Sequence, residues 1–245
     1  MLYWPSGQPS VVTTLMVRAP ENLVDPSIEQ DITVIMRLLC IRHGETDWNA
    51  TLKYQGHLPI SLNAQGREQA RRVGERLASY GVVALYTSDI VRAAETASII
   101  GELIGLSPTP MPKLREIDVG KWEGLTPDEL QQQYPEHMAE FKRDPANTVR
   151  LGGESYAQMQ ARALEALREI EQRHSADDVV VAVSHGGTIR ALLCDIIGLD
   201  LARFGKLWLD NGSISELRHD SIHGWRVVRM NDAAHMEDMV FAKGE

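Results

Sequence analysis

The sequence has little cysteine and no long apolar run. Cys40 and Cys194 are the only cysteines among its 245 residues, and no CxxC pair or zinc-finger spacing occurs. This argues against a disulfide framework and against a cysteine metal site, so we expect two buried free thiols in a reducing compartment. No apolar stretch has the length of a membrane span. The N-terminus also lacks the basic start and cleavage site of a signal peptide. We therefore expect a cytoplasmic protein.

Positive charge is scarce as well. The chain has 25 Lys and Arg against 34 Asp and Glu, which gives a formal net charge of −9 and a pI of about 5.4. An acidic surface repels nucleic acids and anionic lipids, so we expect neither as a partner. A local basic pocket for a small anion is still compatible with this balance. The oligomeric state stays open, and a homodimer is compatible with the sequence.

The first 35 residues differ in pattern from the rest. They combine the turn-rich "YWPSGQPS", the short apolar run "VVTTLMV" and an acidic, proline-containing stretch without period. We expect residues 1–35 to form a poorly ordered N-terminal extension, and the alternative is a tail that docks its apolar run. Residues 36–245 are long enough for one sizeable domain.

After Met36, strand patterns alternate with helix patterns. Buried strands are predicted at "MRLLCI", "VVALYT" and "DVVVAVS", and two further strands at "GSISELRH" and "GWRVVRM". Amphipathic helices are predicted at "LNAQGREQARRVGERLASYG", after Ser88, at "LTPDEL", after Ser155 and at "GTIRALLCDIIG". This alternation predicts a three-layer α/β/α sandwich with a mostly parallel sheet.

Serine and threonine mark the predicted starts of three of these helices. Ser88 is the expected N-cap of the helix that carries Ile90 to Ile104. Two capping boxes are predicted as well, and they consist of the pairs Thr126–Glu129 and Ser155–Gln158.

Three predicted strands end in polar residues. The first ends in Arg42-His43-Gly44, the second in Thr87-Ser88 with Arg92 shortly after, and the third in Ser184-His185-Gly186-Gly187. If the three strands are neighbours, two arginines and two histidines converge at one edge of the sheet. Helix N-termini add unpaired N–H groups there, and glycines allow close approach to the backbone. We therefore predict an anion pocket suited to phosphate.

The chemistry expected at such a pocket is transfer of a phosphoryl group to histidine. No P-loop lysine and no kinase signature occurs. A neutral imidazole can attack phosphorus, while arginines stabilise charge on the phosphoryl oxygens. An alcohol leaving group needs a proton. The candidate acid is Glu116 in "LREIDVGKWEG", and Asp118 and Glu123 are nearby alternatives.

The strings "RHGETDWN", "YTSDIVRAAETA" and "SHGG", taken together, resemble the histidine phosphatase superfamily. The similarity is greatest to the branch that contains cofactor-dependent phosphoglycerate mutase and its phosphatase relatives. The resemblance implies that His43 becomes phosphohistidine and that Glu116 acts first as general acid and then as base. It also implies a phosphate pocket and substrate contacts built from Arg42, Arg92, His185, Thr46, Asn49, Gln55, Gly56, Gly186 and Gly187.

A metal site is another interpretation of the residues around His43 and His185. Glu45 and Asp47 beside the histidines suggest a metal, but two arginines would repel a cation, so no metal is expected. The remaining histidines have no arginine–glycine or glycine–glycine motif beside them and are interpreted as surface or packing residues. They are His57, His137, His174, His219, His223 and His235.

The preferred hypothesis is a metal-independent phosphomonoester phosphatase that acts on small phosphorylated metabolites without a cofactor. The alternative is a phosphoglycerate mutase primed by 2,3-bisphosphoglycerate, and a third hypothesis is a non-catalytic scaffold for phosphorylated ligands. The resemblance implies that a mutase of this family carries a long insertion with extra basic residues before the last catalytic helix. The segment between Gly120 and Gly153 is short and acidic by comparison, which favours the phosphatase. Its cations are Lys121, Lys142, Arg143 and Arg150. We expect such a cap to admit water and to hold a doubly anionic ligand weakly.

Overall fold

The computed structural model describes residues 36–239, so the extension predicted at 1–35 lies outside the described residues. One six-stranded sheet forms the centre, in the order β3-β2-β4-β1-β5-β6. β1, β2, β3 and β4 are parallel to one another, while β5 is antiparallel to both β1 and β6. The strands are β1 Met36–Arg42, β2 Val82–Thr87, β3 Thr109–Pro110, β4 Val179–Ser184, β5 Ile214–Asp220 and β6 Gly224–Asp232.

Helices cover both faces of this sheet. They are α1 Asp47–Ala50, α2 Ala64–Leu77, α3 Val91–Ile104, α4 Pro127–Gln133, α5 Pro135–Arg143, α6 Tyr156–Arg173 and α7 Gly186–Ile197. Leu39 and Ile41 of β1 pack with apolar residues of α2 and α3, whereas Leu38 and Cys40 pack with residues of α6 and α7. Side chains alternate between the faces of a strand, so one apolar run feeds both cores. The predicted three-layer sandwich is confirmed.

Both capping boxes are confirmed, but the predicted N-cap at Ser88 is wrong. α3 begins at Val91, and its N-cap is Ile90, which makes no side-chain cap. The Ser88 hydroxyl instead accepts from the Ile90 N–H and contacts the His185 ring. The local sequence could not distinguish an N-cap from a contact with His185, because each requires a small hydroxyl side chain just after a strand.

The other sequence expectations about the core agree with the structure. Cys40 and Cys194 are both buried free thiols, and burial raises the pKa of Cys40 to about 12. The helix α5 was not predicted. It begins at Pro135, one residue after the end of α4, and only Met138 on it is buried. No helix of residues 36–239 is long and apolar enough to cross a membrane.

Candidate active site

The three polar strand ends meet because β4 lies between β1 and β2. Arg42 is in register with Ser184, and Thr87 with Val183. The polar segments that follow β1, β2 and β4 therefore all start at the same edge of the sheet. A cavity of about 280 Å³ opens there, and Arg42, His43, Arg92 and Glu116 all contribute to its wall.

His43 is held in one tautomer. Its Nδ1 lies 2.7 Å from the Gly44 carbonyl oxygen, which can only accept a hydrogen bond. Nδ1 therefore carries the proton, and Nε2 has the lone pair. In agreement, Nε2 accepts from Arg92 Nε at 3.2 Å. Burial, and then the positive charges of Arg92 and Arg42, hold the pKa of His43 well below its usual value. His43 is thus a neutral, fixed imidazole.

Neither arginine of the site forms an ion pair with a carboxylate among the described residues. Arg92 is 1% exposed and donates to the carbonyl oxygens of Gly56 and Leu58. Arg42 is partly buried and donates to the Leu209 carbonyl oxygen, and its Nε has no hydrogen-bond partner within residues 36–239. Burial lowers the pKa of each guanidinium to about 10, so both stay charged at neutral pH. Two cations that bond to carbonyl oxygens and to the His43 ring, without a carboxylate, form an anion site.

His185 lies beside His43, with 5.1 Å between the ring centroids. Its Nε2 is 2.8 Å from the Ser88 hydroxyl oxygen. That hydroxyl also accepts from the Ile90 N–H. The Nδ1 atom of His185 is buried and has no hydrogen-bond partner in the described part of the chain. Burial, followed by the charges of Arg92 and His43, lowers the pKa of His185 well below its usual value.

Glu116 is the carboxylate that lines the cavity. It accepts from the Gly187 N–H at 3.0 Å and from the Ile117 N–H at 2.9 Å. A Cβ atom at Gly187 would lie 2.3 Å from Glu116 Oε1, so only glycine lets the carboxylate come this close to the start of α7. The two alternative acids bond elsewhere. Asp118 accepts from the Gly120 N–H, and Glu123 accepts from the His57 N–H.

Two residues that the sequence did not single out hold the backbone of Glu116. Arg162 Nη2 donates to the Glu116 carbonyl oxygen at 2.9 Å, and its carboxylate partner is Glu154. His57 Nε2 lies 2.7 Å from the same oxygen. His57 was interpreted as a surface or packing residue, and the structure adds this contact beside the candidate acid. No local motif marks either residue.

The remaining predicted contact residues divide into two groups. Asn49, Gln55, Gly56, Gly186 and Gly187 all line the cavity. Thr46 is fully buried and does not line it. Its hydroxyl caps α1 in a capping box with Asn49, and so orients a cavity residue.

The outer end of the cavity was not predicted. It is lined by two cations, Lys53 and Arg190, and by the aromatic residues Tyr54, Tyr156, Phe204 and Trp208. Arg190 is partly buried on α7, four residues after Gly186. The position of these residues depends on how α1, α6, α7 and the segment after α7 pack together.

The four cations of the predicted cap do not line this cavity. Lys121, Lys142 and Arg143 are exposed. Arg150 is 1% exposed, and its guanidinium carbon lies 3.8 Å from the centroid of the Tyr156 ring. The expectation that the cap brings few cations to the substrate agrees with this arrangement. The sequence did not predict that Lys53 and Arg190, which lie outside the cap, line the cavity.

No group of three or more His, Cys, Asp or Glu side chains in the described residues is arranged to hold a metal ion. Glu45, considered in the metal hypothesis, instead accepts from the Asn63 side chain at 2.8 Å. Asp47 lies in the first turn of α1.

Comparisons with known proteins agree with this site. Residues 38–233 match the model of the histidine phosphatase superfamily (branch 1). The chain is 31% identical over 202 residues to phosphoserine phosphatase 1 of Hydrogenobacter thermophilus, covering 82% of this chain and 95% of that protein. It is 33% identical over 220 residues to a metal-independent phosphoserine phosphatase of Arabidopsis thaliana, covering 89% of each. Other relatives of comparable identity are named phosphoglycerate mutase-like protein or probable phosphoglycerate mutase.

A solved structure agrees as well. The Bacillus stearothermophilus protein YhfR superposes with a TM-score of 0.77 at 32% identity, covering 82% of this chain and all of that chain. The fold similarity and the family match therefore agree.

Proposed function

The chain belongs to the histidine phosphatase superfamily, and we propose that it is a metal-independent phosphomonoester phosphatase that forms a phosphohistidine intermediate. One observation carries the proposal: the His43 imidazole is neutral, with its Nε2 lone pair beside two buried arginines and a carboxylate. Nucleophile, charge stabiliser and proton donor are the three functions that phosphoryl transfer from an ester requires.

In the first step, His43 Nε2 attacks phosphorus, and the bond from phosphorus to the alcohol oxygen breaks. Glu116 gives its proton to that oxygen, so the alcohol leaves neutral. Arg42 and Arg92 donate to the phosphoryl oxygens, where charge accumulates, and the His185 ring next to His43 is a further proposed contact of the phosphate. The Gly44 carbonyl oxygen keeps the Nδ1 proton in place and stabilises the positive charge that the ring acquires.

In the second step, water replaces the alcohol. The Glu116 carboxylate takes a proton from that water, the oxygen attacks phosphorus, and the bond to His43 Nε2 breaks. Inorganic phosphate leaves, and the next substrate finds His43 neutral and Glu116 protonated, so one residue serves as acid and then as base. Asn49, Gln55, Gly56, Gly186 and Gly187 are the proposed neighbours of the substrate in both steps. Thr46 contributes by orienting Asn49.

Neither step uses a metal or another cofactor in this proposal. Arg42 and Arg92 provide the positive charge that a metal ion supplies in other phosphatases. The printed name of the Arabidopsis relative describes it as metal-independent. The proposed ligands are small phosphorylated metabolites. The net charge of −9 argues against nucleic acid or an anionic membrane as a partner. The interpretation as a cytoplasmic protein, and that as a homodimer, stay predictions.

Phosphoglycerate mutase activity, primed by 2,3-bisphosphoglycerate, is the second candidate, and the names of several relatives favour it. Hydrolysis is preferred because none of the four cap cations lines the cavity. A mutase must retain a doubly anionic intermediate and keep water from the phosphohistidine. We expect at most trace interconversion of 3- and 2-phosphoglycerate beside measurable phosphate release.

The experiment is hydrolysis of p-nitrophenyl phosphate with and without EDTA, combined with rapid quenching of labelled substrate. We expect EDTA-resistant turnover and a protein-bound phosphate that is labile in acid and stable in base. Absence of turnover and of labelled protein would leave the scaffold hypothesis. Mutase turnover above the hydrolysis of every monoester tested would reverse the choice between the two enzymes.

A further inference from the structure

A histidine outside the cavity joins the two loops on which the proposed chemistry depends. The first loop holds Arg92, which donates to the carbonyl oxygens of Gly56 and Leu58, the residues on either side of His57. The second loop carries Glu116. The His57 ring connects them, because its Nε2 lies 2.7 Å from the Glu116 carbonyl oxygen. One side chain thus lies between the arginine that stabilises charge and the acid that donates the proton.

The acceptor fixes the direction of this hydrogen bond. A carbonyl oxygen can only accept, so His57 Nε2 carries a proton and donates it to Glu116. The backbone of His57 makes a second connection, since its N–H donates to Glu123 Oε1 at 3.0 Å. Glu123 belongs to the segment that follows Glu116 in the sequence. His57 is therefore attached to the acid-bearing segment at two points, through its ring and through its backbone.

Gly56 allows the two loops to come this close. Its φ is +51°, and a Cβ atom there would lie 2.6 Å from Glu123 Oε1 and 2.8 Å from a methyl carbon of Val119. Both the backbone conformation and the available space therefore favour glycine. The contact of His57 with Glu116 is part of a closely packed junction between the loops.

The Glu116 carbonyl oxygen has a second donor, which depends on a different part of the fold. Arg162 donates to it at 2.9 Å from helix α6 and pairs with Glu154. Arg162 therefore attaches the acid to a helix, whereas His57 attaches it to the loop that holds Arg92. Without His57 the acid would keep one of these two donors and lose its direct connection to the arginine loop.

We propose that His57 is a positioning residue whose ring sets the place of Glu116 relative to the phosphate bound by Arg92. This inference rests on the proposed function. Proton transfer requires the acid within about 2.6–3.2 Å of the leaving oxygen, so a small displacement of Glu116 slows it. Arg92 bonds to backbone oxygens beside His57 and does not need the ring. Loss of the ring should therefore affect the proton transfer more than the binding of phosphate.

The ring donor can be kept or removed in a matched pair of variants. The amide of His57→Gln can place an N–H near the position of Nε2, whereas His57→Leu has no donor. The amide of His57→Asn is too short to reach, so it replaces His57→Leu if that variant does not fold. kcat and KM are measured for sn-glycerol 3-phosphate and for p-nitrophenyl phosphate. His223→Leu is the control, since His223 is exposed and bonds to Asp220 away from the cavity.

We expect kcat for glycerol phosphate to fall by about 10- to 100-fold in His57→Leu, the size associated with a displacement of about 1 Å. The rate on p-nitrophenyl phosphate should fall far less, because nitrophenolate leaves without a proton. His57→Gln should regain part of the lost rate, and His223→Leu should behave as the native protein. Equal losses on both substrates in His57→Leu, or no loss at all, would overturn the proposal. So would equal rates in His57→Gln and His57→Leu, because the ring donor would then have no function.

A second measurement separates this proposal from the proposed function, because it needs no turnover. A native protein that neither hydrolyses p-nitrophenyl phosphate nor forms phosphohistidine would reject the hydrolase assignment alone. The Glu116 carboxylate accepts from the N–H groups of Ile117 and Gly187, so hydrogen exchange at these amides reports its position. We expect faster exchange at both in His57→Leu than in His57→Gln, with the amides of β1 unchanged. Equal exchange in the two variants would overturn the positioning role of His57, whether or not the protein is an enzyme.

Discussion

The two ends of the active-site cavity are built in different ways. The inner end is lined by Arg42, His43 and Arg92, with the His185 ring packed beside His43. All four follow or end parallel strands; His43, Arg92 and His185 are buried and Arg42 is partly buried. The outer end consists of Lys53, Arg190 and aromatic side chains from four separate segments. The inner end offers one fixed geometry for phosphorus. The outer end meets the rest of the substrate, so changes at the two ends should differ in kind as well as in size.

The largest effect is expected at the nucleophile. His43→Ala should lower hydrolysis of every monoester by at least about 10³-fold, because no other described side chain presents a neutral lone pair beside the arginines. Steady-state rates and labelling of the protein with phosphate check this. His174→Ala is a suitable control, since His174 bonds to Tyr86 away from the cavity. Near-normal turnover in His43→Ala would remove the proposed mechanism.

The next effect depends on the leaving group. Glu116→Gln should slow alkyl phosphates by about 10²–10⁴-fold and p-nitrophenyl phosphate far less, because nitrophenolate leaves without a proton. The two rates are compared on one preparation, with Glu123→Gln as the control carboxylate outside the cavity. Equal losses on both substrates would show that Glu116 supports the structure and does not donate the proton.

The same dependence on the leaving group is expected when Glu116 is retained but its carboxylate is moved. In Gly187→Ala the new methyl group would overlap with Glu116 Oε1, so the carboxylate must move. We expect a loss of about 10- to 10²-fold on alkyl phosphates, the size associated with a displacement of about 1 Å. Gly205→Ala is the control, because a Cβ atom there meets no atom within 4 Å. An unchanged ratio of alkyl to aryl rates would contradict the contact.

The inner end should also have its own pH behaviour. Burial and the nearby arginines lower the pKa of His43 and His185, so both rings stay neutral as the pH falls through the usual histidine range. NMR titration of labelled histidines should show that the His43 and His185 rings are still neutral below about pH 6.5. The unfolded chain does protonate them, so their contribution to stability is complete above about pH 6.5 and decreases below it. Titration of His43 near pH 6.5 would contradict the tautomer and charge assigned to it.

The sequence predicted the inner end well because its residues lie in short strings at strand ends. "RHG", "SHGG" and the arginine after "TSD" needed only the neighbourhood of three strands, which follows from the alternation of strands and helices. Glu116 was less certain, because three acids share one loop and only the contact with Gly187 distinguishes them.

The outer end could not be predicted in the same way. Arg190 lies in an amphipathic helix, where an arginine is usually a surface residue, and Tyr156 and Phe204 have the pattern of core residues. They come together only in the folded protein, where the Tyr156 and Phe204 rings are in tilted contact and the Arg190 guanidinium lies over Phe204. Contacts between distant segments leave no local period in the sequence. The fold was therefore easier to predict than the residues expected to determine specificity.

The smallest effect is expected at Lys53. Its ammonium group lies 5.8 Å from the centroid of the Trp48 ring and is partly exposed, so water and salt screen its charge. Lys53→Met keeps the aliphatic stem and removes the charge. We expect its KM for an alkyl phosphomonoester to rise by about two- to fivefold, with kcat nearly constant, and the difference from the native protein to shrink at high salt. A fall in kcat on all substrates would instead connect Lys53 to the phosphate, and the division between an inner and an outer end would then be drawn in the wrong place.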